Sequence, residues 1–221
     1  MSKKTNTMSQ TCFLINDQEQ VTASEAFKSI RTNLLSILSS YEEQTKVISF
    51  TSPEAGNGST LTCVNIAVSF AKMGAKVLLI DTDMRHPQIN NFFNIPVIPG
   101  LSDALTGKCT EQDATVLCSD IPGLSLISAG SLPHNPTELI LSAEFNAMLA
   151  NLRNKYDYVF IDTPPVCSFT DAAIISQKTL GAILVCRSAH TKIDIAKKAK
   201  HILEQGGGKI LGTILNGVSA K

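Results

Sequence analysis

The chain has 221 residues, enough for one large domain with a sizeable core, and 43% of them are hydrophobic, as in ordinary globular proteins. Lysine plus arginine and aspartate plus glutamate both number 19, so the formal net charge is zero. That balance removes the electrostatic case for nucleic acid or anionic lipid as the main partner, and no run approaches the ~18 apolar residues of a membrane span.

Residues 1–20 are polar and irregular and read as a mobile arm ahead of a single domain over 21–221. The start "MSKKTNTMSQTCFLIN" is basic but lacks the long apolar centre of a secretory signal. A helix is expected over 22–38. Thr22 and Glu25 have the spacing of a capping box, and Phe27, Ile30, Leu34 and Leu38 make one apolar face. Glu25, Lys28 and Arg31 fall on the other face, where a solvated surface explains them without a partner. Strands are expected at 46–52, 76–83, 124–129, 157–162, 181–186 and 209–216. Helices are expected near 59–73, 137–154, 170–178 and 192–205. The strand runs are rich in Val, Ile and Leu with little alternation, as in strands buried on both faces. Strand–helix alternation of this kind predicts an α/β fold, a doubly wound and mostly parallel sheet flanked by helices. Ligands of such sheets bind at the carboxyl ends of the strands. The loop "GSLPHNPTEL" (130–139) leads rigidly into a helix that starts near Asn135 or Thr137.

The six cysteines form no C-x-x-C pair and have no histidines at ligand spacing, so they read as reduced thiols and not as a metal site or a disulfide framework. His86, His134, His190 and His201 show no local pattern.

Three strand ends carry chemistry. The first runs into "SPEAGNGST" (52–60), where Gly56 and Gly58 let the backbone curl so that several amides face one anion at a helix start. Only the second half of the G-x-x-x-x-G-K-[ST] pattern is present, because Pro53 and Ser59 replace the first glycine and the lysine. A tight turn without ligand explains that loop equally well. The second end, "VLLIDTDMRHP", places Asp81 and Asp83 one residue apart with Arg85 close by, which suits metal coordination and orientation of a hydroxyl. The third, "YDYVFIDTPP", ends a buried strand in Asp162. Each acidic end is also a natural turn, but three in this order exceed what turns alone explain.

The chain resembles the bacterial tyrosine kinases of capsule and exopolysaccharide systems, the CpsD/CapB type, which are P-loop relatives of MinD and ParA. The resemblance covers about 22–218 and rests on "SEAFKSIRTNL", the loop at 52–62, "DTDMRHP", "GLSDALTG", "LPHNPTEL", "YDYVFIDTPPV" and "LGTILNGV". It implies that Gly56, Asn57, Gly58, Ser59, Thr60 and Leu61 wrap the phosphates of ATP, with Asn216 near the purine. It implies that Thr60, Asp83 and Asp162 hold Mg²⁺, and that Asp81, with Asp83 placing the metal, accepts the proton of a tyrosine hydroxyl. Glu25, Lys28 and Arg31 fall on the family's E-x-x-R-x-x-R oligomer motif. The implied partners are further copies in a ring and the cytoplasmic tail of a membrane chain-length regulator. The implied place is the cytoplasm at the inner face of the membrane, with neither nucleic-acid binding nor direct insertion.

Three departures bear on turnover. Ser59 is neutral and too short to reach the β/γ-phosphates, and losing one such contact costs ~10²–10³ in rate; Glu54 adds negative charge to the same loop. The tyrosines are Tyr41, Tyr156 and Tyr158, so the family's C-terminal tyrosine tail is missing. Lys28 stands at the first arginine of the oligomer motif and lacks its planar fork. A catalytically impaired scaffold is therefore the main alternative. A MinD/ParA-like ATPase is disfavoured by Glu54, where those proteins carry a signature lysine, and by an ending that forms no basic amphipathic helix.

Overall fold

A computed structural model describes residues 21–218, with side chains from Ala23 onward. The expected arm over 1–20, with Cys12, and the end of the chain at 219–221 lie outside the described residues.

Seven strands form one sheet in the order β3-β4-β2-β5-β1-β6-β7. They are β1 (Lys46–Thr51), β2 (Val77–Asp81), β3 (Thr115–Leu117), β4 (Leu124–Ile127), β5 (Tyr158–Asp162), β6 (Ala182–Arg187) and β7 (Ile210–Asn216). All neighbours run parallel except β3, which pairs antiparallel with β4 at one edge. Helices cover both faces, as the doubly wound reading requires.

The five inner strands are almost wholly buried, whereas the edge strands β3 and β7 are partly exposed, and the inner side chains alternate between the two faces of the sheet. Val77 and Leu79 of β2 lie in the core on one, with Ile48 and Phe50 of β1 and Phe160 of β5. Leu78 and Ile80 lie in the core on the other, with Val47, Val159 and Ile161. The first core is closed by α1 (Val21–Leu38) and α2 (Ser59–Ala71), through Leu34, Leu38 and Phe70. Phe70 lies edge-on to Phe160 and Tyr158, with centroids 5.1 and 4.6 Å away. The second core is closed by α4 (Leu101–Leu105), α6 (Pro136–Leu141) and α7 (Ala143–Leu152), with Phe145 and Leu152 fully buried.

Three expectations need correction, while the helix start expected near Asn135 or Thr137 holds. The helix expected over 137–154 is two helices. Ser142 adopts an extended conformation and its hydroxyl accepts from the Phe145 amide at 3.1 Å, so it caps a new helix where apolar periodicity alone runs on. Asn135 occupies the N-cap of α6 without a side-chain bond, and Pro136 follows at the first turn. α1 begins at Val21, so Thr22 stands inside the helix; its expected capping side chain lies outside the described residues, and Glu25 pairs with Lys28 at 2.7 Å. Finally, α3 (Ile89–Phe93), α5 (Glu111–Ala114), α4 and the three-residue β3 were not anticipated, being too short to display a period. The remaining helices, α8 (Asp171–Gln177) and α9 (Ile193–Gln205), fall where expected.

Candidate active site

Because their strands run parallel, Thr51, Asp81, Asp162, Arg187 and Asn216 all end at one edge of the sheet, and the loops that follow β1, β2 and β5 surround a cavity of about 650 Å³. Its floor is the Gly-rich loop between β1 and α2. Gly56 and Gly58 hold φ of 81° and 85°, the left-handed region open to glycine, and Gly58 leads directly into the helix. Amides and a helix N-terminus thus face the cavity together, an anion-binding arrangement.

Gly56, Gly58, Ser59, Thr60 and Leu61 line this cavity, and Asp83 lines it from the β2 side. Asn57, Asp81, Asp162 and Asn216 sit behind it. Asn57 is fully buried, and its Oδ1 accepts from Thr191 Oγ1 at 3.2 Å. Asn216 donates its amide to the Asn57 carbonyl at 3.1 Å, and Arg187 donates to the Gly56 carbonyl at 3.3 Å. The ends of β6 and β7 therefore brace the loop from below. Asn216, expected near a purine, has its amide turned onto the loop. Arg187 and Thr191 were missed from sequence; their one signal is that Arg187 ends a buried strand and Thr191 lies in the loop after it.

Ser59 is buried and its hydroxyl turns back to Ser52 at 3.3 Å, while Ser52 donates to the Glu54 carbonyl at 2.9 Å. The position that would carry an ammonium group therefore supplies only a neutral contact within the loop. Glu54 is exposed and lies outside the cavity wall.

The carboxylates divide by environment. Asp81 accepts the Asp83 amide at 3.0 Å on one oxygen and the Gln88 and Ile89 amides at 3.0 and 3.1 Å on the other. It thereby fixes the loop that carries Asp83. Burial pushes its pKa up to about 7 despite those amides. Asp83 is more accessible and accepts the Arg85 and His86 amides at 3.2 and 2.9 Å. Asp162 is the register partner of Asp81. Burial, and then the Asp81 charge, hold its pKa well above the carboxylate range, and a hydrogen bond from Thr60 opposes this. Its Oδ1 is buried without a partner.

An orphaned buried oxygen beside a threonine hydroxyl at a phosphate loop fits a hydrated cation. Among the described residues no three histidine, cysteine or carboxylate groups converge as a cage. Mg²⁺ suits that donor set, because it keeps most of its waters and takes one or two carboxylates plus phosphate oxygens.

The oligomer-motif residues lie on α1, remote from this edge. Lys28 and Glu25 pair with each other, both more than half exposed. Arg31 instead reaches across to α2 and donates to the Ser69 carbonyl at 2.8 Å and hydroxyl at 3.0 Å.

The chain is similar to known proteins in sequence and in fold. A family model described as an AAA domain matches residues 45–188. The putative tyrosine-protein kinase CapB of Staphylococcus aureus is 36% identical over 216 residues, covering 98% of this chain and 92% of that protein. The chimerical protein CapA2B2 superposes with a TM-score of 0.87 at 35% identity, over 95% of this chain and 91% of that one. The kinase domain of the Escherichia coli tyrosine kinase ETK gives 0.88 at 30% identity, over 95% and 81%.

Proposed function

The chain belongs to the CapB/CpsD family of bacterial tyrosine-protein kinases, and from that premise we propose that it is an ATP-binding, tyrosine-kinase-type component of capsular or exopolysaccharide synthesis. The carrying observation is the cavity itself: left-handed glycines and a helix N-terminus on its floor, Asp83 in its wall, and the unpartnered Asp162 oxygen behind Thr60.

In this reading the amides of Gly56 to Leu61 hold the β- and γ-phosphates. Thr60, Asp83 and Asp162 would hold Mg²⁺ and its waters, and the ion would neutralise charge on the phosphate oxygens. The phenol oxygen of an acceptor tyrosine bonds to the γ-phosphorus as the bond to the bridging oxygen breaks, and ADP leaves with that electron pair. Asp81 takes the phenol proton. Its oxygens accept three amides but keep further lone-pair capacity, and burial raises its affinity for a proton. Asn216, Thr191 and Arg187 act beneath the loop and fix its curl.

The partners follow from the same reading: other copies of the chain through Glu25, Lys28 and Arg31, and the cytoplasmic tail of a membrane chain-length regulator that recruits the chain to the inner face of the membrane. Among the described residues no helix is long and apolar enough to cross a membrane. A second reading, a catalytically impaired scaffold, is favoured by one observation, the inward-turned and neutral Ser59.

Calorimetric titration with Mg·ATP, with phosphate release measured on the same sample, tests both. Binding is expected, with slow turnover. Ser59→Lys should raise hydrolysis about a hundredfold, the scale of one electrostatic transition-state contact, and the gain should vanish with Asp81→Asn. Tighter binding with hydrolysis still at background would favour the scaffold, and no binding at millimolar nucleotide would remove both ATP-dependent roles.

A further inference from the structure

The loops after β2 and β5 and the start of α6 meet around Arg85. Its guanidinium forms an ion pair with Asp171, whose side chain is wholly buried at the start of α8. Thr137 Oγ1 donates to the other Asp171 oxygen at 2.6 Å, and Arg85 donates to Thr137 at 3.3 Å. The guanidinium carbon lies 4.5 Å from the ring centre of Phe169. A planar cation tied to buried acceptors is held still, and so is the ring stacked against it.

Phe169 is half-buried and lines the same cavity as the Gly-rich loop, together with Phe92 and Pro165. Phosphates need amides, hydroxyls and a cation, and gain nothing from these apolar walls. An aromatic ring does gain, by stacking or edge-to-face contact. We propose that Phe169, Phe92 and Pro165 form the subsite for the phenol ring of the acceptor tyrosine, and that Arg85 is the positioning residue that holds the Phe169 ring through Asp171 and Thr137. This rests on the kinase reading above. It supplies a physical source of acceptor selectivity: a serine, a threonine or a water gains no contact from two rings and a proline.

The test uses the full chain, with and without saturating Mg·ADP, and N-acetyl-tyrosinamide as the probe. Saturation-transfer NMR reads contact with the probe's ring, and the phosphorus shift of ADP reads the nucleotide site in the same tube. Phe169→Ala and the milder Phe169→Leu should each cut ring transfer about fivefold, the size of one aromatic contact. N-acetyl-alaninamide should show none. Arg85→Ala should weaken the probe about threefold, on the scale of a loosened stack, and should broaden the Phe169 signals in a spectrum of ring-labelled phenylalanine. Ring transfer absent in the wild type, equal in wild type and both Phe169 variants, or abolished by saturating Mg·ADP because the purine of the nucleotide takes these walls, would overturn the subsite and leave nucleotide binding and tyrosine phosphorylation untouched. Ring contact that depends on Phe169, in a chain that phosphorylates no tyrosine even with Ser59→Lys, would support the subsite and sink the kinase reading instead.

Discussion

Gly58 holds φ 85°, and a Cβ built on it would lie 2.2 Å from Asn216 Nδ2. Two separate costs therefore meet at one residue: a left-handed backbone that L side chains resist, and the amide that braces the loop from β7. Gly58→Ala should destabilise the chain by roughly 1–3 kcal/mol. Adding Asn216→Ala removes the clash and not the backbone strain. In urea melts the double variant should therefore lie nearer wild type than the sum of the two single losses, with a coupling of about 0.5–1.5 kcal/mol. Strict additivity would show that the Asn216 amide moves aside freely and braces nothing. Ser59 illustrates the same scale from the chemical side. Its missing charge is legible in the sequence, whereas its turn toward Ser52 depends on a hydroxyl seven residues away that only the folded loop brings close.

At the scale of an element, α1 carries two kinds of charge. The Glu25–Lys28 pair is exposed and local, worth a few tenths of a kcal/mol. The Arg31 guanidinium crosses to α2 and satisfies the buried Ser69 hydroxyl. Arg31→Ala should cost about 1–3 kcal/mol of stability by leaving that group unpaired. Glu25→Ala should fall within ~0.5 kcal/mol. If the ring contact proposed for these residues exists, light scattering should show assemblies that shrink with Glu25→Ala at unchanged urea midpoint, whereas Arg31→Ala lowers both. A chain that stays monomeric at high concentration and low salt, regulator tail included, would remove the contact and leave Arg31 a strut between two helices. The long elements were legible because each shows a period or a continuous apolar run. The break at Ser142 was not, since a serine inside an apolar pattern reads the same whether it caps a helix or faces solvent.

Across the whole molecule, the sheet places two carboxylates side by side in the interior, Asp81 and Asp162 on adjacent strands. Both are shifted upward, so the folded chain holds their protons more tightly than the unfolded chain does. The stability they allow is complete below the ordinary carboxylate range and falls as pH rises through about 7. Asp103, shifted downward against its burial by the Ser131 hydroxyl, the Ser131 and Gly100 amides and Lys108, acts with the opposite sign only at lower pH. In EDTA the melting temperature should therefore fall between pH 5.5 and pH 8, by roughly 2–6 °C on the scale of one to two pKa units. Asp162→Asn should flatten that fall, and Mg·ADP should reverse it in the wild type and not in the variant. Parallel pH curves for the two proteins would mean that Asp162 titrates as an ordinary surface carboxylate.

The sequence by itself determined the architecture and marked the strand ends where the candidate site lies. Strands buried on both faces must be continuous apolar runs, and a polar residue that ends such a run must emerge at the sheet edge, so Asp81 and Asp162 were recognisable in the chain order alone. Glycines before a helix marked the phosphate loop for the same kind of local reason. Only the tertiary structure decided where the polar side chains turn. Asn57 and Asn216 are 159 residues apart, Arg85 and Asp171 are 86 apart, and Arg31 and Ser69 are 38 apart. No local pattern specifies such pairings. They exist because a buried donor or acceptor takes whichever partner the packed elements bring within about 3 Å, and that choice is made when the sheet and its helices close together.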